Sequence, residues 1–190
     1  HGNITGLLNL AGTPSAIGGD FDGALRDVEV AGEKFPSGAI SGWLDAGSVH
    51  IGHLSLDRWN GEEGAIARGT IAPDWTANLD VTATGFQLNR LNNLEAINAP
   101  IDGTVTVDAQ IQGSLLDPQP AGRMAVSGAK YADFDLPDST VQFTTVEDEI
   151  LLEGNLVGNG LRFDGALKRS ADRPFSLGVR LEEFPLHSAY

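Results

Sequence analysis

The chain has 190 residues, of which 41% are apolar, 7% aromatic and 24 are glycine, with a formal net charge of −14. That length can bury a sizeable core, and the apolar share argues against a disordered chain. The charge excludes nucleic acid as a partner and disfavours adhesion to an anionic membrane surface, because like charges repel.

There is no cysteine, which removes disulfide frameworks and thiolate metal sites. No run of about 18 apolar residues exists to span a membrane as a helix. No signal peptide is visible. The chain opens at His1-Gly2 in strand-like sequence, so it is expected to be a piece of a longer protein, with His1 an addition to it.

In chain order, the pattern has a period of two. Side chains alternate across a strand, so apolar residues at every second position line one face. A turn signal, GTPSAIGGD, covers 12–20. Phe21, Gly23 and Leu25 share one parity, Val28 and Val30 the other, which predicts an irregularity near Asp27. Val49 and Ile51 change parity with Leu54 and Leu56, which predicts a bulge at Gly52-His53. RWNGEEG at 58–64 is a turn signal. Leu79, Val81 and Ala83 oppose Asp80, Thr82 and Thr84. RLNNLEAIN, 90–98, is the only helix candidate, worth a turn or two. Val105, Val107, Ala109 and Ile111 oppose Thr104, Thr106, Asp108 and Gln110. Further turn signals follow at 114–122 (SLLDPQPAG), 157–160 (VGNG) and 168–174 (KRSADRP). Leu161, Phe163 and Leu167 oppose Arg162, Asp164 and Lys168. Phe175, Leu177, Val179 and Leu181 oppose Ser176, Arg180 and Glu182.

Roughly twelve short strands without long amphipathic helices exclude a parallel α/β sheet. The chain also repeats. Gly12 corresponds to Gly113 and Phe35-Pro36 to Leu136-Pro137. Gly69 corresponds to Gly165, Trp75 to Phe175, and Leu79, Val81, Phe86 and Leu88 to Leu177, Val179, Phe184 and Leu186. This divides the chain into a first unit (1–91), a linker (92–100) with a short helical turn, and a second unit (101–190). A period near a hundred residues counts against a β-solenoid or adhesin-like passenger. A one-sided apolar sheet must cover that face by closing into a barrel, forming a sandwich or curling. Few aromatics and many inward glycines favour curling. The expected fold is all-β: an elongated antiparallel meander curled into a taco-like trough with an apolar interior, although a closed, dry core is the bland alternative.

No catalytic or metal constellation emerges. His50-x-x-His53 lacks a third ligand. Asp20, Asp22, Asp133, Asp135, Asp138 and Glu147-Asp148-Glu149 fit no calcium-loop spacing and read as turn or solvated carboxylates. There is no nucleophile elbow and no carboxylate pair in an identifiable pocket. The chain therefore reads as a non-enzyme with no cofactor. Trp43, Trp59 and Trp75 are expected to pack at sheet edges or trough ends rather than to stack sugars.

The ordered set Gly103, Gly113, Pro118, Gly122, Phe134–Pro137, STVQF (139–143), EILLEG (149–154), Gly160–Leu167 and the closing PFSLGVRLEEFPL (174–186) resembles the repeat unit of the TamB family, within the AsmA-like group. The first unit follows more loosely, at Gly2, Gly12-Thr13-Pro14, Gly23, Phe35-Pro36, Gly69 and 75–88. The resemblance implies a periplasmic segment of a Gram-negative protein whose full length is anchored in the inner membrane; the anchor is absent from this chain. It implies a hydrophobic groove moving phospholipid between inner and outer membranes and supporting outer-membrane protein assembly. It also implies contact with a BamA-like barrel through the full-length protein. Phospholipid acyl chains would contact Leu79, Val81, Val105, Val107, Ile111, Leu161, Phe163, Leu167, Leu177, Val179 and Leu181. The alternative is a β-scaffold pairing its sheet edge with client or barrel proteins, without lipid.

Overall fold

A computed structural model describes residues 1–13, 16–30, 32–58, 61–92, 100–132, 134–156, 161–169 and 175–181, with the side chains of residues 16, 156, 161, 175, 177 and 181 left aside. Among these residues thirteen strands form one open antiparallel sheet: β1 (Asn3–Thr13), β2 (Ala16–Val30), β3 (Glu33–Asp45), β4 (Ser48–Arg58), β5 (Glu63–Ile71), β6 (Thr76–Gln87), β7 (Ile101–Ser114), β8 (Asp117–Tyr131), β9 (Phe134–Asp135), β10 (Ser139–Val146), β11 (Glu149–Leu156), β12 (Leu161–Lys168) and β13 (Phe175–Leu181). Each strand pairs with the next in sequence, except that β10 pairs β8 and the two-residue β9 pairs only β8. Because β6 pairs β7, the sheet runs unbroken across the expected 92–100 junction. No helix among the described residues is long and apolar enough to cross a membrane.

Local chemistry explains the tight connections. The β3–β4 hairpin turns on Ala46-Gly47, both at positive φ (47° and 80°), the geometry whose twist matches that of its strands. Within the turn signal at 114–122 the connection is a two-residue turn at Leu115-Leu116, and β8 begins at Asp117. Pro118 and Pro120 are tolerated there because β10 pairs only Gly122–Val126 of β8. That leaves the proline stretch with a strand partner on one side only, where a missing N–H costs no ladder bond.

The expected bulge is present: β4 gains one residue between Ile51 and Leu54 relative to β5, spanning Gly52-His53. Near Asp27 the backbone takes φ 52°. Yet Arg26↔Ser37 and Val28↔Phe35 keep one register, because β2 and β3 skip Asp27 and Pro36 together. Two further bulges, at Gly85 in β6 and Gly128 in β8, occupy positive φ (79° and 57°), which glycine adopts without strain. A 3₁₀ turn at Leu88–Arg90 meets the start of the helix candidate; residues 93–98 of that candidate lie outside the described residues, as do the turn signal at 157–160, residues 170–174 of the signal at 168–174, Trp59, and Phe184 and Leu186 of the closing motif.

Candidate functional site: the apolar face

The register assembles one apolar face. Ile4 (β1) lies opposite Leu25 (β2), Leu25 opposite Gly38 (β3), Gly38 opposite Leu56 (β4), Leu56 opposite Ala65 (β5) and Ala65 opposite Ala83 (β6). The same row continues through Val107 (β7), Met124 (β8), Val141 (β10), Gly154 (β11) and Phe163 (β12) to Val179 (β13). Every strand except β9 contributes one residue, and none is polar. The neighbouring row belongs to the opposite face and includes Thr82, Asp108, Arg123, Gln142, Glu153 and Asp164. Alternation within strands thus becomes a continuous stripe, because antiparallel pairing keeps directly opposed residues on one face.

The expected contact residues whose side chains are described fall on this face, in two groups. Leu79 opposes Ile111, Val81 opposes Ala109, and Val107 opposes Ala83, with Val105 beside Phe86. Val105 is buried, whereas Leu79, Val81, Val107 and Ile111 are half-buried. Four strand positions away, Phe163 opposes Val179 and Leu167 opposes Phe175. Phe163 and Leu167 are half-buried and Val179 is 57% exposed. Leu161 opposes Leu181, and Leu177 opposes Gly165; the side chains of Leu161, Leu177 and Leu181 lie outside the described residues.

The packed cluster of large apolar side chains lies at one end of the strands. Phe35, Leu56, Phe86 and Val105 form the buried cluster, with Leu25, Val28, Leu54, Ala83, Val107, Met124 and Val126 packed around it. The Phe35 and Phe86 rings meet edge-to-face with centroids 6.1 Å apart. Leu88 and Leu91 complete the cover, and they belong to a strap, Gln87–Asn92, that leaves β6 and crosses the ends of β5, β4 and β3. The Gln87 N–H donates to Glu63 Oε1 (3.4 Å), and Arg90 Nη1 lies 3.5 Å from the same oxygen. Arg58 Nη2 donates to the Arg90 carbonyl (3.0 Å), and the Asn92 N–H donates to Glu33 Oε1 (2.8 Å). Arg58 also joins the two carboxylates, with Nη1 2.7 Å from Glu33 Oε2 and Nε 3.8 Å from Glu63 Oε2. Glu63 is 1% exposed, and among the described residues its Oε2 has no hydrogen-bond partner; Arg90 and the Gln87 N–H at Oε1 and Arg58 at Oε2 together offset the burial of the carboxylate.

The Arg58–Glu63 pair is opposed across β4 and β5 at the strap end. Sequence reasoning missed both the strap and this network. Its faint signal is the arginine and the second glutamate within the RWNGEEG turn itself; the partners at 33 and 90 are too distant in sequence to be read.

On the polar face, Trp43 stacks on His50 with centroids 4.9 Å apart and planes 5° apart. Among the described residues no group of three or more His, Cys, Asp or Glu could hold a metal ion. A concavity of about 460 Å³, lined by Gln142, Glu153, Asn155, Arg162, Asp164 and Arg180 among others, lies on the polar side of β10–β13. Comparison of the chain with protein-family models, with curated proteins and with solved structures returned no match.

Proposed function

We propose that this chain is a segment of a TamB-like envelope protein, built of two repeat units. Its apolar face forms a groove for phospholipid acyl chains passing between inner and outer membranes, in support of outer-membrane protein assembly. The observation that carries the reading is the twelve-residue apolar row from Ile4 to Val179. A tail lying along it would leave water at every strand, at about 0.8 kcal/mol per buried methylene. No charge interrupts the row, and movement along it needs no catalysis. Curling of the sheet into a trough is supported by the Phe35–Phe86 contact. Those residues stand three strands apart, roughly 14 Å in a flat sheet, yet their ring centroids are 6.1 Å apart. The repeat is supported by Gly12 and Gly113, which both take positive φ (122° and 88°).

The test is native mass spectrometry, with lipid extraction, on protein purified without detergent. Phospholipid is expected to co-purify. Val179→Glu, at an exposed position that tolerates the change, is expected to lower lipid retention while the fold persists. An empty wild type, or a folded variant with undiminished lipid, overturns the groove.

A second reading is favoured by the β1 edge. All eleven residues of β1 are exposed and uncharged, and its only strand partner among the described residues is β2. Such an edge is a template for strand addition. In that reading the sheet edge docks a client or barrel strand without lipid. Leu7→Lys and Asn9→Pro would then abolish client capture while leaving lipid retention untouched.

A further inference from the structure

At the end of the strands opposite the strap, two neighbouring turns carry three exposed apolar side chains. Trp75, between β5 and β6, is 67% exposed; Leu115 and Leu116, between β7 and β8, are 38% and 96% exposed. The turns are adjacent because Ala77 pairs Gly113, and the Leu115 N–H donates to the Trp75 carbonyl (3.0 Å). Trp75 sits at φ 65°, a left-handed conformation that costs a bulky residue free energy. No core packing offsets that cost at such exposure. A large aromatic held outward in a strained backbone is a feature that folding alone does not require.

We infer that these turns form a tip that docks on the interface of a zwitterionic lipid bilayer. Indole favours the headgroup layer, and leucine the acyl boundary beneath it. Pairing of peptide groups within the turns lowers the cost of entry, because water thins toward the acyl boundary and an unpaired group there costs free energy. Besides that of Leu115, four N–H groups of the turns are paired. The Ala72 N–H donates to the Thr76 carbonyl, the Trp75 N–H to the Ala72 carbonyl, the Thr76 N–H to Asp74 Oδ1 and the Leu116 N–H to Ser114 Oγ. The two flanking carboxylates are engaged as well, Asp74 by Thr76 and Asp117 by Arg169. Three side chains offer roughly 500 Å², short of the roughly 800 Å² that each partner contributes to a stable protein interface. The net charge of −14 selects against anionic lipid. The inference is independent of the groove: docking concerns the turns, and lipid retention the apolar face.

The test is flotation of the full chain with phosphatidylcholine vesicles. The wild type is expected to float, and Leu116→Asp to reduce the floated fraction on the order of tenfold by removing the burial of one leucine. Replacing phosphatidylcholine with phosphatidylglycerol at low salt is expected to weaken flotation. Trp75→Asn, in which asparagine tolerates the left-handed backbone, is expected to lose flotation with Tm unchanged or raised. A Trp75 that served only to hold the turn would instead lower Tm and leave flotation intact. Failure of the wild type to float, undiminished flotation of Leu116→Asp, or a dimer in sedimentation that Leu116→Asp dissolves would each overturn docking. Native mass spectrometry of Leu116→Asp reads the groove separately, since that variant is expected to keep its co-purifying phospholipid.

Discussion

The apolar face has the same chemistry in β1 as in β6 and β7, but not the same burial. Ile4, Leu8 and Leu10 are exposed, whereas Phe35, Leu56, Phe86 and Val105 are buried. The difference does not come from the strands, which alternate alike. It comes from what lies across them: Leu88 and Leu91 on a strap, held down by Arg58, Glu33 and Glu63. A single sheet cannot bury its own face, so stability gathers where a second piece of chain covers it.

The sharpest way to break this comparison is at the latch. Arg58→Ala removes the Glu33 salt bridge, takes the cation away from Glu63 Oε2 and frees the Arg90 carbonyl, while Arg90 keeps its 3.5 Å approach to Glu63 Oε1. It is expected to cost about 3–5 kcal/mol, the usual penalty for breaking a buried pair, read from urea denaturation. A loss below about 1 kcal/mol would resemble a surface pair and move the anchoring to Leu88 and Leu91.

The next pair of variants tests the contrast directly. Phe86→Ala is expected to cost about 3–5 kcal/mol by opening a cavity under the strap. Leu8→Ala, on the same face at the uncovered edge, is expected to cost less than about 1 kcal/mol. Equal losses would mean that the strap adds nothing.

Gly154→Val probes the face between these extremes. A Cβ there would stand 2.5 Å from the Phe163 ring and 2.6 Å from the Thr140 carbonyl. Overpacking is expected to cost about 1–3 kcal/mol, and Phe163→Leu should recover part of it. No recovery would place the clash with the β10 backbone instead.

The smallest effect concerns the uncovered end. The Thr76 N–H holds the Asp74 carboxyl below its usual value. A depressed folded pKa means that the contact stabilises the turn above the unfolded value, about 3.9, and is lost as the pH falls through the folded one. The Thr76 amide resonance is expected to titrate below that value, and the titration should vanish in Asp74→Ala. A midpoint at or above the ordinary value would remove the contact.

Much of the sheet was legible because strand alternation is local. Leu79, Val81, Val105, Val107, Ile111, Phe163 and Leu167 were placed on one face by parity alone, and the register put them there. The Gly52-His53 bulge was readable as a parity slip within one strand. The bulges at Gly85 and Gly128 carried only a lone glycine as signal. The turn signal at 114–122 extends into β8, because whether a proline ends a strand depends on where the neighbouring strand stops.

The sequence by itself determined that the chain makes antiparallel strands with one apolar face, since side-chain direction follows from a two-residue period. It determined the charge, and so which surfaces repel the molecule. Only the tertiary structure decided which part of the face is buried. That depended on Arg58 meeting Glu33 and the Arg90 carbonyl, contacts spanning 25 and 32 residues. Only the tertiary structure also brought Trp75 beside Leu115 and Leu116, forty positions along the chain. Such contacts follow from strand pairing and loop closure, which sum over the whole chain and leave no mark in any short stretch of it.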